Sequence, residues 1–258
     1  MIELKLENQK VNIDAGELVG YTVDGYEYIH QKGSPGWRSS DTEMFPIIGP
    51  TADAKFQVQT PRDIAIQDQH GLLREMAYEI VSTTDTEAVL EKKYTAGTRI
   101  KNSKFPNKSN KEWLFWTYDF SFKKTFRLTQ TGLEVVFTVS GERDMPFMLG
   151  YHPAFKLYAD SPTVLAGEKE ITLKEIMDVG SRALQVPNCS EIMLKDQKEL
   201  RIRTEGFGNF MLWTEVPNMV CIEPITFYTY AVEQTKLHEG FEYLQNTDRE
   251  YKVSISAI

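Results

Sequence analysis

The sequence predicts an all-β protein, a large antiparallel β-sandwich formed by residues 1–258 as one domain. Two observations carry this. Apolar and polar residues alternate with period two over long stretches, and turn-forming residues separate those stretches. No window of helical length has an apolar stripe at i, i+3, i+4 and i+7 with caps. Many strands and few helices leave a sandwich or barrel as the economical architecture.

The clearest alternation runs from Leu114 to Phe126, where Leu114, Trp116, Tyr118, Phe120, Phe122 and Phe126 share one parity. Leu133, Val135, Phe137 and Val139 repeat the pattern after Thr129-Gln130-Thr131-Gly132, so the pair reads as an antiparallel hairpin. Tyr78–Ser82 and Ala88–Lys92 suggest another hairpin. Arg201–Thr204, Phe210–Trp213 and Tyr251–Ile255 add strands. Leu173–Met177 is the best helical segment, one or two turns long. The polar stretch from Thr95 to Asn110 reads as a long exposed loop.

Composition narrows the function. The chain is 41% hydrophobic and 26% charged, which is ordinary for a soluble globular protein. Its net charge of -8 repels phosphate polymers and anionic lipid, so neither nucleic acid nor a membrane surface is an expected partner. No apolar run approaches the ~20 residues of a membrane helix. The first residues, Met1-Ile2-Glu3-Leu4-Lys5, alternate from the start and lack the core of a secretory signal, so a cytoplasmic protein is expected. Cys189 and Cys221 are expected as free thiols. Neither belongs to a CxxC or Cys/His spacing, and HExxH is absent, so no metal site is expected. No GxGxxG, GxxxxGK[ST] or GxSxG occurs, so no nucleotide cofactor or serine elbow is implied. Oligomeric state leaves no mark in the sequence.

Three short segments concentrate chemistry. His152, one of four histidines, sits in Gly150-Tyr151-His152-Pro153, where glycine and proline shape a stiff corner. Histidine exchanges protons near neutrality. Glu223 ends the hydrophobic run Met219–Ile222 and precedes Pro224, so it is held rigidly and partly desolvated, which strengthens a carboxylate as a base. His70 precedes Gly71, where backbone can approach a ligand, and Arg74 follows four residues later. His30 and His238 lack such context and are assigned to packing or surface. Tryptophan covers the apolar faces of sugar rings and offers an N–H to hydroxyls. Trp116 lies on the buried face, whereas Trp213 ends a strand and is a candidate cleft residue. Trp37-Arg38 is a further aromatic–cation pair.

These segments, taken in order with Phe45-Pro46-Ile47-Ile48-Gly49, resemble the aldose 1-epimerases (mutarotases), particularly their LacX-like bacterial branch. The matching pieces are His70-Gly71-Leu72-Leu73-Arg74, Gly150-Tyr151-His152-Pro153-Ala154-Phe155 and Cys221-Ile222-Glu223-Pro224. The resemblance spans nearly the whole chain. It implies the galactose mutarotase-like supersandwich and cofactor-free interconversion of the α and β anomers of a free or phosphorylated aldose. It also implies Glu223 as general base, entering as carboxylate, and His152 as general acid, entering as imidazolium. His70 would help hold the ring oxygen. The family often carries arginine directly after Phe-Pro-x-x-Gly. Here that position is Pro50, and Arg74 and Arg38 are the candidates to take over its contact. A non-catalytic carbohydrate-binding protein is the alternative. A sugar-cleaving enzyme would need two carboxylates ~5–10 Å apart, and Asp68, Asp144 and Glu79 are weak candidates for the second.

Overall fold

The computed structural model describes all 258 residues. A nine-stranded antiparallel sheet forms one layer. Its central strands are Phe120–Thr129, Gly132–Gly141 and Asp248–Ala257, and the edges are Lys169–Thr172 and Glu79–Thr83. The Phe120–Thr129 and Gly132–Gly141 hairpin closes at Thr129 opposite Gly132, as the turn residues predict. Its inward pairs include Phe122 with Val139 and Phe126 with Val135, the apolar cross-strand contacts that stabilise a sheet. Gly132 is required there, because a Cβ would stand 2.2 Å from the Ile255 carbonyl oxygen.

The expected strand from Leu114 to Phe126 is two strands, Trp113–Leu114 and Phe120–Thr129. Between them Phe115 bridges to Ile66, and the chain then passes to the large sheet. Burial still alternates across the break because Leu114, Trp116, Tyr118 and Phe120 all enter the same core. The Thr95–Asn110 loop is mostly exposed, yet it contains the two-residue strand Ile100–Lys101 and buries Asn102 and Ser109. The helix Leu173–Val179 carries a capping box, with Thr172 and Glu175 satisfying each other's backbone amides.

A six-stranded sheet faces the large one. Its order is Leu184–Val186, Asn209–Trp213, Met219–Ile225, Gly150–Tyr151 and Glu43–Met44, with Ala154–Lys156 also paired to Met219–Ile225. One continuous apolar core reaches from Leu4 to Ile255. An N-terminal four-stranded sheet, from Ile2 to Glu27, packs against it. The architecture is therefore the large antiparallel sandwich that the alternation predicts.

One buried position breaks the apolar rule. Lys124 occupies an inward site between Phe122 and Phe126 and is fully buried. Its Nζ donates to Asp41 Oδ2 at 2.7 Å, Glu43 Oε1 at 2.6 Å and the Gly16 carbonyl at 3.0 Å. Tyr151 donates its hydroxyl to the same Asp41 oxygen at 2.7 Å. Lys92 Nζ donates to the Leu73 carbonyl at 2.9 Å and lies 3.8 Å from Glu43. Such charges stay buried only when paired and hydrogen-bonded. This cluster ties the strand before His152 and the loop carrying His70 to the large sheet.

Candidate active site

The strand Met219–Ile225 is buried along its whole length and lies inside the smaller sheet. On one side Met211 pairs with Glu223 and Trp213 with Cys221. On the other, Gly150 pairs with Ile225 and Ala154 with Cys221. Both registers set His152 directly opposite Glu223. Pro153, which has no N–H, interrupts the strand at this point. The His152 amide is satisfied instead by the Thr42 carbonyl at 2.8 Å. Period-two geometry then puts Met211, Trp213, Cys221, Glu223 and His152 on one face.

His152 Nε2 and Glu223 Oε1 are 3.2 Å apart. Glu223 is 2% exposed, and burial pushes its carboxyl well above the usual range. Burial, with a smaller contribution from the Arg74 charge, lowers His152 to about 4. Both shifts favour the neutral pair, a protonated Glu223 beside a neutral imidazole. The pair holds one proton in either form; desolvation decides where it rests.

His70 approaches from a separate loop. Its amide donates to the Ile48 carbonyl at 2.8 Å, and its carbonyl accepts from Phe45 N–H at 3.3 Å. Gly71 follows at φ 70°, and a Cβ there would stand 2.1 Å from the Phe45 carbonyl oxygen, so no other residue fits. The His70 and His152 rings lie 5.4 Å apart between centroids. Arg74 Nη1 donates to His70 Nδ1 at 3.1 Å. A guanidinium can only donate, so Nδ1 accepts and the proton of the neutral ring is on Nε2. Burial first, then the neighbouring His152 ring when it is protonated and the Arg74 cation, hold His70 well below its usual pKa, which keeps the ring neutral.

His70, Trp213 and Glu223 line a common recess, together with Gln69, Met211 and Tyr230. Trp213 meets the His152 ring edge-on at 6.1 Å. Arg38 does not line the recess; it stands 5.8 Å above the Trp213 ring, with both oxygens of Glu215 on its Nη2 at 2.6 and 2.8 Å. Arg38 and Arg74 line a neighbouring cavity of about 600 Å³ together with Pro50, Lys104 and Lys108. Gln69 enters the recess beside His70 as part of the marked segment Gln69–Arg74, whereas Tyr230 and Ser181 line it from loops that carry no motif. Nothing in their local pattern distinguishes them, although the aromatic run Phe227-Tyr228-Thr229-Tyr230 directly after the Glu223 strand is a usable signal.

No second carboxylate joins Glu223 in the recess. Asp68 is committed to Lys104 at 2.9 Å and Asn102 at 2.9 Å. Glu79 and Asp144 are exposed. Cys221 behaves differently from its sequence spacing. The fold brings His152, Cys221 and Glu223 together with their donor atoms within 4.8 Å of one another, a cluster that local spacing does not reveal.

Comparison with known proteins agrees with this architecture. No curated protein matches the chain. A galactose mutarotase-like protein from Lactobacillus casei is 18% identical, with a TM-score of 0.80 over 100% of both chains. A galactose mutarotase related enzyme from Lactobacillus acidophilus is 17% identical, with a TM-score of 0.76 over 100% of this chain and 97% of that one. A galactose mutarotase-like protein from Clostridium acetobutylicum is 14% identical, with a TM-score of 0.69 over 99% and 94%. These likenesses establish the galactose mutarotase-like fold. The sequence model of the aldose 1-epimerases matches residues 52–208, more than half of the chain. The chain belongs to the aldose 1-epimerase family.

Proposed function

We propose that the protein is a mutarotase, which interconverts the α and β anomers of an aldose by acid–base ring opening at His152 and Glu223. The observation that carries this reading is the 3.2 Å opposition of an imidazole and a carboxyl group beside a recess with no second acid. Mutarotation needs one proton taken from the C1 hydroxyl and one given to the ring oxygen. The C1–O5 bond then breaks, the aldehyde turns about C1–C2, and closure returns the protons. A pair that holds a single mobile proton suits this exchange. When the anomeric hydroxyl donates to Glu223, the carboxylate form gains a partner and the proton passes to His152. His70 Nε2–H donates to a sugar oxygen, and Trp213 covers an apolar face of the ring. Each positioned acid or base contributes roughly 10²–10⁴-fold.

Arg74 and Lys108 line the adjoining cavity, which gives a 6-phosphate a cationic surface beside the recess. Exchange spectroscopy by NMR on glucose, galactose and their 6-phosphates tests the proposal. Faster exchange between anomeric signals for at least one of these aldoses is expected. The rival reading, sugar binding without turnover, draws on Pro50 in place of the family arginine. It predicts saturable binding with anomer exchange equal to buffer alone.

A further inference from the structure

Cys221 has no part in the acid–base scheme, yet it stands inside the site. It lies two residues before Glu223 on the same strand face, and its cross-strand partner Ala154 is two residues from His152. We propose that His152, Cys221 and Glu223 form a binding site for a thiophilic divalent cation of the Zn²⁺ type, and that the bound ion inhibits the protein.

The donor set selects the ion. An imidazole nitrogen, a thiolate sulfur and one carboxylate are the ligands of zinc-like cations. Calcium and magnesium ask for six or more oxygens, and only one carboxylate is present. Tetrahedral zinc with bonds of about 2.0–2.3 Å holds its ligand atoms about 3.3–3.6 Å apart. His152 Nε2 and Glu223 Oε1 already stand at 3.2 Å, and the widest separation in the trio is within 4.8 Å. Closing that separation takes about 1 Å, within reach of side-chain torsions. The ion's two charges balance a thiolate and a carboxylate, so the buried complex is neutral, which limits its desolvation cost. About a fifth of the His152 side chain (21%) is exposed, which gives an entry path. The fourth coordination position is left to water or a sugar hydroxyl.

Occupancy takes the lone pair of His152 and displaces the proton of Glu223 together, leaving no group to move a proton. The binding stands on geometry alone, while the inhibition rests on the mutarotase reading. Ligation releases the thiol proton of Cys221 and the carboxyl proton of Glu223, two protons for the two charges of the ion, so binding weakens as pH falls.

Cobalt(II) titration of the folded protein tests the site directly, because thiolate ligation gives a near-ultraviolet charge-transfer band. The wild-type protein should develop this band and lose it when Zn²⁺ is added. Cys221→Ala should abolish the band and weaken Zn²⁺ binding by at least about tenfold, while Cys189→Ser should keep both. Cys221→Ser serves if the alanine variant does not fold. Absence of the band in the wild type, or its survival without Cys221, would overturn the proposal. In the rate assay, Zn²⁺ should slow anomer exchange by the wild type, and a chelator should restore it. Exchange that stays fast with the site filled would overturn the inhibitory role. A protein with no activity at all would still show the band, so failure of the site and failure of the mutarotase reading are separable.

Discussion

His152 Nε2 stands 3.2 Å from Glu223 Oε1 because the registers on both flanks of Pro153 set the two residues opposite one another. The contact is therefore fixed by backbone pairing, not by loop flexibility. Burial raises the Glu223 carboxyl and lowers the His152 imidazole, so it favours the neutral form of each.

Glu223→Gln should lower anomer exchange by roughly 10²–10⁴-fold while sugar binding persists. The same variant should be more stable at neutral pH. A carboxyl whose folded pKa is raised favours folding most below its unfolded value near 4.5 and loses that contribution as pH rises through the folded value. At neutrality the buried group opposes folding, and glutamine removes the opposition. Thermal melting at neutral pH checks this; a variant that melts lower than wild type contradicts it.

The acidic limb of the pH–rate profile should lie near 4, well below the 6.5 of an unperturbed histidine. Below that point the pair gains a second proton and the base is lost. Stability carries the same signature with the sign of a lowered pKa. It is fully present above 6.5 and declines as pH falls toward 4. The slope is at most about 1.4 kcal/mol per pH unit for this group. Urea titrations across this range, with His152→Asn showing the shallower decline, provide the check. An acidic limb at 6.5 contradicts the account.

Arg74→Met should release His70 Nδ1 and allow both neutral tautomers. Nitrogen NMR should find the His70 proton on Nε2 in the wild type and shared in the variant. With a non-phosphorylated aldose, KM should rise about fivefold, the scale of one hydrogen bond. An unchanged tautomer would remove Arg74 from this positioning role.

Lys124→Met should cost about 3–5 kcal/mol, because Asp41 and Glu43 lose their shared buried cation. Denaturant midpoints measure it, and a loss under about 1 kcal/mol would show that the cluster is not stabilising.

Much of the sandwich was legible because alternation is local. Phe120, Phe122, Phe126 and Leu128 announce an inward face without reference to any partner. Lys124 on that same face could not be read, since its partners Asp41 and Glu43 lie more than 80 residues away in the chain. His70, His152 and Glu223 stood out because glycine, proline and a strand end mark their backbone. Tyr230 and Ser181 occupy ordinary loop contexts and became visible only once the loops had converged. The desolvation of Glu223 was legible from its place at the end of a hydrophobic run, and burial in the fold raises its carboxyl in the same direction. Cys221 has no metal-ligand neighbour in sequence, and only the fold brings it near His152 and Glu223.

Polarimetry of freshly dissolved α-galactose and α-glucose, with their 6-phosphates alongside, tests the central claim most directly. Wild-type protein should hasten the approach to equilibrium rotation for at least one of these aldoses, and Glu223→Gln and His152→Asn should each bring the rate close to buffer alone. A Glu223→Gln protein as fast as wild type would contradict the assignment of the reaction to this pair.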